Sequence, residues 1–269
     1  MNTSVTLTPP APQLANVTLM PSGRLVHAYY TEAKYEFLKM LRTPAFAAPV
    51  LVLPVVMYLL FGLIMAADAI AKNPNIGVYL FCGFSVFAVT GPGLLGVGIS
   101  LANEREAGLL KLKRALPAPP GAYILAKMLV AMVFAAITTS SLVVTALLLG
   151  KLPVSLPQAA ALTGVMVLGT LPMCAIGLFI GAHASGGSAP AFGNLVFLPM
   201  MWLSGLFIPL PAFMQKYVVI WPAFHLDQLA TAVVGLKEFR FMPASVCAAV
   251  LLGVTVLFGA FALHRLARA

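Results

Sequence analysis

Charged side chains are scarce in this chain: Asp, Glu, Lys and Arg make up 9% of its 269 residues, whereas soluble domains average about 25%. So few charges cannot cover the surface of a water-soluble globule that is 61% hydrophobic. The same composition excludes an intrinsically disordered chain, which would need many charges and few apolar residues. The mean hydropathy of +1.00 therefore indicates a polytopic membrane protein.

Acidic residues and cysteines are few as well. Seven acids stand against 16 Lys and Arg, but no basic patch with interleaved aromatics appears, so we expect no nucleic-acid partner. The basic excess instead suits cytoplasmic loops that orient membrane spans. Cys82, Cys174 and Cys247 lie singly in apolar sequence, which argues against a metal site, and we expect no metal and no cofactor in this chain.

Six apolar stretches separate the remaining charges, and each is close to the roughly 20 residues that a membrane-spanning helix needs. They predict an all-α domain at 44–266 with spans at about 45–67, 77–101, 123–149, 158–181, 191–209 and 243–264. Within 210–240, the stretch from Tyr217 to Leu236 is also apolar, but it holds Pro222, His225 and Asp227. Because a charge in the bilayer is costly, we predict re-entrant outer-leaflet helices between spans 5 and 6 and no seventh span.

Basic residues precede span 1, separate spans 2 and 3, and follow span 6. Six spans place all three segments on one side, so both termini are expected to be cytoplasmic. Residues 1–22 resemble a flexible tail and not a signal peptide. Apolar residues recur at helical spacing over 23–43, which predicts an amphipathic helix in the membrane interface. The alternative for 23–43 is a cytosolic extension of span 1.

The loop between spans 2 and 3 has the pattern of a short amphipathic helix over residues 103 to 116. Asn103 and Glu106 have the spacing of a capping box, and Leu109 and Leu112 fall on one apolar face. Pro117 would end the helix. The alternative is a solvated loop that only anchors the topology.

Two stretches of this sequence resemble one known family, the ABC-2-type transporter permeases. The first stretch is Glu104-Arg105-Glu106-x-Gly108-Leu109-Leu110, followed by Pro117, Tyr123 and Lys127. The second is Leu203-Ser204-Gly205-Leu206-Phe207-x-Pro209, followed by Pro222 and His225. The chain departs from the family at Leu109, where many members have Thr, and at the stiff pair Pro119-Pro120.

This resemblance implies a permease whose loop helix is a coupling helix that docks on a separate, cytosolic ABC ATP-binding subunit. The implied coupling residues are Asn103, Glu104, Arg105, Glu106, Gly108, Leu109 and Leu112. Two ATP-binding subunits, a second permease copy and membrane lipids would be the partners, in a bacterial inner membrane. ATP and Mg would bind to the partner, because no G-x-x-x-x-G-K-[ST] motif occurs in this chain. We therefore expect no enzymatic activity from the chain by itself.

Aromatic residues stud spans 2 and 5. Phe81, Phe84 and Phe87 fall on one face of span 2, and Trp202 and Phe207 lie on span 5 or at its end. Such stripes usually pack in a core or face lipid, but in the family these spans face the partner permease. We therefore hypothesise that these five residues line a substrate pathway.

Three weaker patterns leave alternatives open. Gly177 and Gly181 form a GxxxG that suits either close helix contact or ordinary packing. The sequence Gly91-Pro92-Gly93 suits either a discontinuous helix or a simple kink. His225 and Asp227 suit either the capping of a re-entrant helix or a polar lining.

The function expected from these features is ATP-driven export of an amphipathic substrate, a drug-like compound or a lipid, from the cytoplasm or inner leaflet. The nearest alternative is a permease of the same family that exports a glycan. A secondary transporter is disfavoured because the predicted spans hold no ionisable residue at mid-membrane and show no inverted repeat. An intramembrane enzyme is disfavoured because no nucleophile has an evident base.

Overall fold

The computed structural model describes residues 22–115, 121–208 and 212–268, and every regular element in these ranges is a helix. The helices are α1 (Ser22–Leu41), α2 (Pro44–Met65), α3 (Ala67–Lys72), α4 (Pro74–Glu106), α5 (Leu109–Ala115), α6 (Ala122–Leu148), α7 (Leu156–His183), α8 (Ala189–Leu203), α9 (Ala212–Val218), α10 (Pro222–Val233) and α11 (Ala244–Arg268). The prediction of an all-α polytopic membrane protein is confirmed. The predicted tail at 1–22 lies outside the described residues, apart from Ser22.

Five helices in the described part of the chain, α2, α4, α6, α7 and α11, are long and apolar enough to cross a membrane. Each falls on a predicted span. Helix α8 is apolar but has 15 residues, which reach about 22 Å at 1.5 Å per residue, short of the roughly 30 Å hydrocarbon core. The sixth span at 191–209 therefore stays a prediction.

Helices α4 and α7 form the centre of the bundle, since most of their apolar residues are buried, whereas few residues of α2 and α11 are. The central pair touches backbone to backbone, since a Cβ on Gly177 would lie 2.5 Å from the carbonyl oxygen of Leu94. A Cβ on Gly98 would lie 2.9 Å from the oxygen of Gly177. The close-contact interpretation of the GxxxG is confirmed, because small residues are what permits this approach.

Helix α4 remains continuous through Gly91-Pro92-Gly93. Pro92 has no backbone N–H to donate, and it lies in a π-helical turn at Gly91–Gly96 that keeps the helix unbroken. A second π-helical turn, Tyr58–Met65, closes α2. Of the two alternatives for Gly91-Pro92-Gly93, the discontinuous helix is therefore not formed.

One end of the bundle, here named the charged end, gathers α1, the end of α4, α5 and the end of α11. Leu101, Leu110 and Leu266 pack there in one apolar cluster. Contacts at the opposite end join the loop between α10 and α11 to other helices. The side-chain amide of Asn75 on α4 donates to Glu238 at 2.8 Å, and Gln158 on α7 donates to the Val234 carbonyl at 2.8 Å. Short helices are present within 210–240 as predicted, while their depth in the outer leaflet stays a prediction.

Helix α1 covers nearly the predicted range 23–43. In its C-terminal half, the ring of Phe37 lies 5.5 Å from that of Phe134 on α6, and Met40 is buried in the same cluster. In its N-terminal half, Val26 and Tyr30 are exposed. The apolar stripe thus packs on the bundle at one end and is free at the other, and its place in the interface stays a prediction.

Candidate functional site

A buried ion cluster joins three helices at the charged end. Lys127 on α6 donates to Ser100 Oγ at 2.8 Å and to Glu104 Oε1 at 2.9 Å, both on α4. Its ammonium also pairs with Glu36 on α1. Lys127 is 1% exposed and the two carboxylates are 5% and 4% exposed, so their charges are compensated inside this chain. Lys39, which is half exposed, adds a contact to Glu104.

The next two residues of α4, Arg105 and Glu106, form hydrogen bonds to the backbone of the turn between α7 and α8. Arg105 donates to the carbonyl of Ala182 and, at 2.6 Å, to that of Ala184. These carbonyls lie at the end of α7, where helix oxygens lack intrahelical donors and a cation is favourable. Glu106 accepts a hydrogen bond from the Gly186 N–H at 2.6 Å. The three charged residues of the motif therefore all bind within the chain.

The predicted helix start at Asn103 is wrong. Asn103 lies inside the last turn of α4, where its carbonyl accepts the Ala107 N–H at 2.9 Å, and the next helix begins only at Leu109. Gly108 separates the two helices with a φ of +72°, a conformation that suits glycine at a helix C-terminus. The capping-box spacing misleads here because the helix of span 2 continues to Glu106, beyond the predicted end of the span at 101.

Helix α5 displays part of its apolar surface. Leu109 is 42% exposed and Leu112 is 62% exposed, whereas Leu110 is 6% exposed and packs on the bundle. Leu110 thus packs the short helix against the bundle, while Leu109 and Leu112 face outward. The residues that follow, 116–120 with Pro117, lie outside the described part of the chain.

An aromatic groove of about 690 Å³ lies between α2, α4 and α8. It is lined by Met57, Phe61, Met65, Ala66, Leu80, Phe84, Phe87, Phe197, Leu198, Met201, Trp202, Phe207 and Ile208. Phe207 is central, with its ring centroid 4.9 Å from that of Phe84, 5.9 Å from Phe87 and 6.0 Å from Trp202. The structure therefore brings four of the five predicted pathway residues together.

Phe81 is the predicted pathway residue that lies elsewhere. It is fully buried, and its ring meets Tyr58 edge-on at 5.5 Å between centroids. It is absent from the groove lining. In this structure Phe81 packs in the core.

His225 and Asp227 occupy α10 near the opposite end. His225 Nε2 lies 2.8 Å from the carbonyl oxygen of Val219, directly after α9, so the imidazole serves the end of that helix. Asp227 lies inside α10 and not at its first turn, because that helix begins at Pro222. Burial raises the pKa of the Asp227 carboxyl well above its usual range. Among the described residues, no three potential metal ligands lie together.

Sequence reasoning found neither Glu36 nor Ser100, and it used Lys127 only as a motif position. The signal for Lys127 was present, since a lysine at the start of an apolar run must find an acid or reach water. Its partners were not readable, because they lie 91, 27 and 23 residues away.

Comparison with known proteins agrees with this architecture. Residues 27–237 match the family described as ABC-2 type transporter. The chain is 24% identical over 194 residues to a protein of Bacillus subtilis (strain 168) named transport permease YvfS, and the alignment covers 71% of this chain and 78% of that protein. In this family the permease is a membrane transport subunit that associates with an ABC ATP-binding subunit, and the ATPase is a separate chain. The chain belongs to the ABC-2 type transporter family and is the membrane subunit of an ABC transporter.

Proposed function

We propose that this chain is the permease of an ATP-driven exporter that moves an amphipathic molecule, a drug-like compound or a lipid, out of the cytoplasm or the inner leaflet. The observation that carries the proposal is the aromatic groove. Its lining holds aromatic, methionine and aliphatic side chains and no ionisable one. A cavity of this chemistry selects an apolar body.

Magnitudes favour an amphipathic substrate over a glycan. A ligand that hides about 200 Å² of apolar surface gains about 5 kcal/mol. A sugar hydroxyl left without a partner costs about 1–3 kcal/mol, and of the lining side chains only Trp202 carries an N–H donor. Several unpaired hydroxyls would cancel the apolar gain, so glycan export is the second candidate.

The groove also supports assembly with a second permease copy. Met65, Leu198, Trp202 and Ile208 are each more than half exposed along its open side. Uncovered apolar surface of this kind favours a protein or lipid neighbour. We propose a homodimer with two ATP-binding subunits, each holding ATP and Mg, in a bacterial inner membrane and with both termini cytoplasmic.

For the coupling surface, the proposal rests on α5 and the turn before it. Leu109 and Leu112 face outward, and they would fill a groove on the ATP-binding subunit. Gly108 would set the angle of α5 to α4. Four residues at the end of α4 would contribute indirectly, by holding the start of α5 to the bundle: Asn103, Glu104, Arg105 and Glu106.

Leu112→Asp tests this coupling surface. We expect the ATP-binding subunit to co-purify at least about tenfold more weakly, since burying an unpaired charge at an interface costs more than about 1.4 kcal/mol. Folding should be spared, because the side chain is exposed. Leu110→Asp is the contrast: it should unfold the charged end. Wild-type co-purification of Leu112→Asp would remove α5 from the interface.

The substrate class is tested by ATPase stimulation in the reconstituted complex. A fluorescent amphipathic dye and a short-chain phospholipid should stimulate hydrolysis, whereas a soluble oligosaccharide should not. Trp202→Ala should reduce the stimulation. Stimulation by the oligosaccharide alone would favour the glycan exporter.

A further inference from the structure

The end of α4 and the turn between α7 and α8 are fastened together by two residues. The two hydrogen bonds from Arg105 hold the carbonyls of Ala182 and Ala184. Glu106 holds the Gly186 N–H at 2.6 Å. Because these hydrogen bonds involve charged groups, they are stronger than neutral ones.

A side chain at position 186 would displace the ends of the Asn103 and Glu106 side chains that contact this glycine. A Cβ on Gly186 would lie 2.4 Å from Asn103 Oδ1 and 2.5 Å from Glu106 Oε2. Gly187, the next residue, would meet nothing within 4 Å. Of these two neighbouring glycines, therefore, only Gly186 lies against α4.

The turn that Arg105 and Glu106 contact leads directly into α8. The Ser185 and Ser188 hydroxyls lie 2.8 Å apart, and the Ala189 N–H donates to the Ser185 carbonyl at 2.8 Å. These bonds bind the turn to the first residue of α8 (Ala189–Leu203). A displacement of the turn is thus passed to α8.

Helix α8 in turn carries one wall of the aromatic groove, including Phe197 and Trp202. The other wall belongs to α2 and α4. A change in the position of α8 against α4 changes the width of the groove.

We propose that Arg105 and Glu106 are positioning residues that pass the movement of the coupling end of α4 through Gly186 to α8, and so to the groove wall. This inference rests on the proposed function, in which the ATP-binding subunit moves that end of α4. It assigns the charges of the motif to transmission inside the permease and not to the interface with the ATPase. Leu109 and Leu112 keep the interface.

The test uses the full permease in complex with its ATP-binding subunit, with spin labels at Leu195→Cys on α8 and Leu252→Cys on α11. Both positions are exposed, and the native cysteines are buried. The distance between the labels is measured with and without trapping by ATP, Mg and vanadate. A second pair, at Ala107→Cys and Leu252→Cys, reports the end of α4 itself.

Glu106→Ala and Gly186→Ala should abolish the trapping-dependent change at 195 and leave the change at 107. The matched control for Glu106→Ala is Glu106→Gln, which can still accept the backbone hydrogen bond without the charge and should retain the trapping-dependent change at 195. The matched control for Gly186→Ala is Gly187→Ala, which should behave as wild type. Substrate-stimulated ATPase should fall about tenfold in the first two variants, as expected for a lost charge-assisted hydrogen bond, while the ATP-binding subunit still co-purifies.

Three results would overturn the proposal. The first is a wild-type complex in which position 195 does not move on trapping, and the second is a Glu106→Ala variant in which it still moves. The third is a Glu106→Ala variant that fails to assemble, which would make the contact merely structural. Failure of the proposed export is separate, since it would appear as a wild-type complex that moves its labels on trapping but is not stimulated by the amphipathic dye.

Discussion

Replacing Lys127 by methionine is expected to destabilise this fold more than removal of any exposed lysine. The ammonium compensates Glu36 and Glu104, which are 5% and 4% exposed. Methionine keeps most of the side-chain volume, so the change isolates the charge. Removing one partner of a buried ion pair costs about 3–5 kcal/mol, because the remaining charge stays in a poorly solvated site.

The size of the effect follows from the loss of stability. For a protein of this length, each kcal/mol shifts the melting temperature by about 2–4 °C, so Lys127→Met should melt about 10 °C below wild type. Lys39→Met should cost at most about 1 kcal/mol, because a half-exposed ion pair is screened by water. Lys151→Met, at an exposed loop lysine, is the control.

Thermal unfolding can be followed with a thiol-reactive dye in detergent, since all three cysteines are free and buried. The double variant Glu104→Gln/Lys127→Met should recover part of the loss, because one uncompensated carboxylate is gone and Glu36 keeps Lys39 at 3.9 Å. The reasoning is refuted if Lys127→Met melts with the Lys151→Met control, or if Lys39→Met costs as much as Lys127→Met.

Three further predictions concern topology, the aromatics and the central helix contact. Arg268→Cys should react with an impermeant thiol reagent only from the cytoplasmic side, and labelling from outside alone would refute the six-span orientation. Phe81→Ala should lose about 3–5 kcal/mol of stability as a core deletion, whereas Trp202→Ala should fold and lose substrate stimulation; the reverse pattern would move the pathway. Gly177→Ala should lower the melting temperature because its Cβ meets a backbone oxygen at 2.5 Å, while Gly164→Ala, with nothing within 4 Å, should not, and equal melting would contradict the backbone contact.

Much of the bundle could be predicted from the sequence because the positions of charges mark the ends of apolar helices. The runs that begin near Thr43, Asn73 and Lys151 led to α2, α4 and α7 within a few residues. The grouping of Phe84 and Phe87 was also readable, since residues three apart share a helix face. Phe81 satisfies the same spacing but turns into the core, because the period does not say which neighbour covers each ring.

The roles of the charged residues at 104–106 could not be predicted from the sequence around them. Glu104 and Glu106 follow an apolar run, so their pattern suits an exposed helix start. Their partners come from distant segments: Lys127 lies 23 residues from Glu104, and Gly186 lies 80 residues from Glu106. Only the tertiary fold shows that these carboxylates are used within the chain.

The account depends most on the claim that this permease works through ATP hydrolysis by a separate subunit. The direct measurement is uptake of a fluorescent amphipathic dye into inside-out proteoliposomes that hold the permease, the ATP-binding subunit, or both. We predict ATP-dependent uptake with both subunits, none with either alone, and none when Leu112→Asp replaces the wild-type permease. Uptake by the permease alone, driven by a proton or sodium gradient, would contradict the account and indicate a secondary transporter.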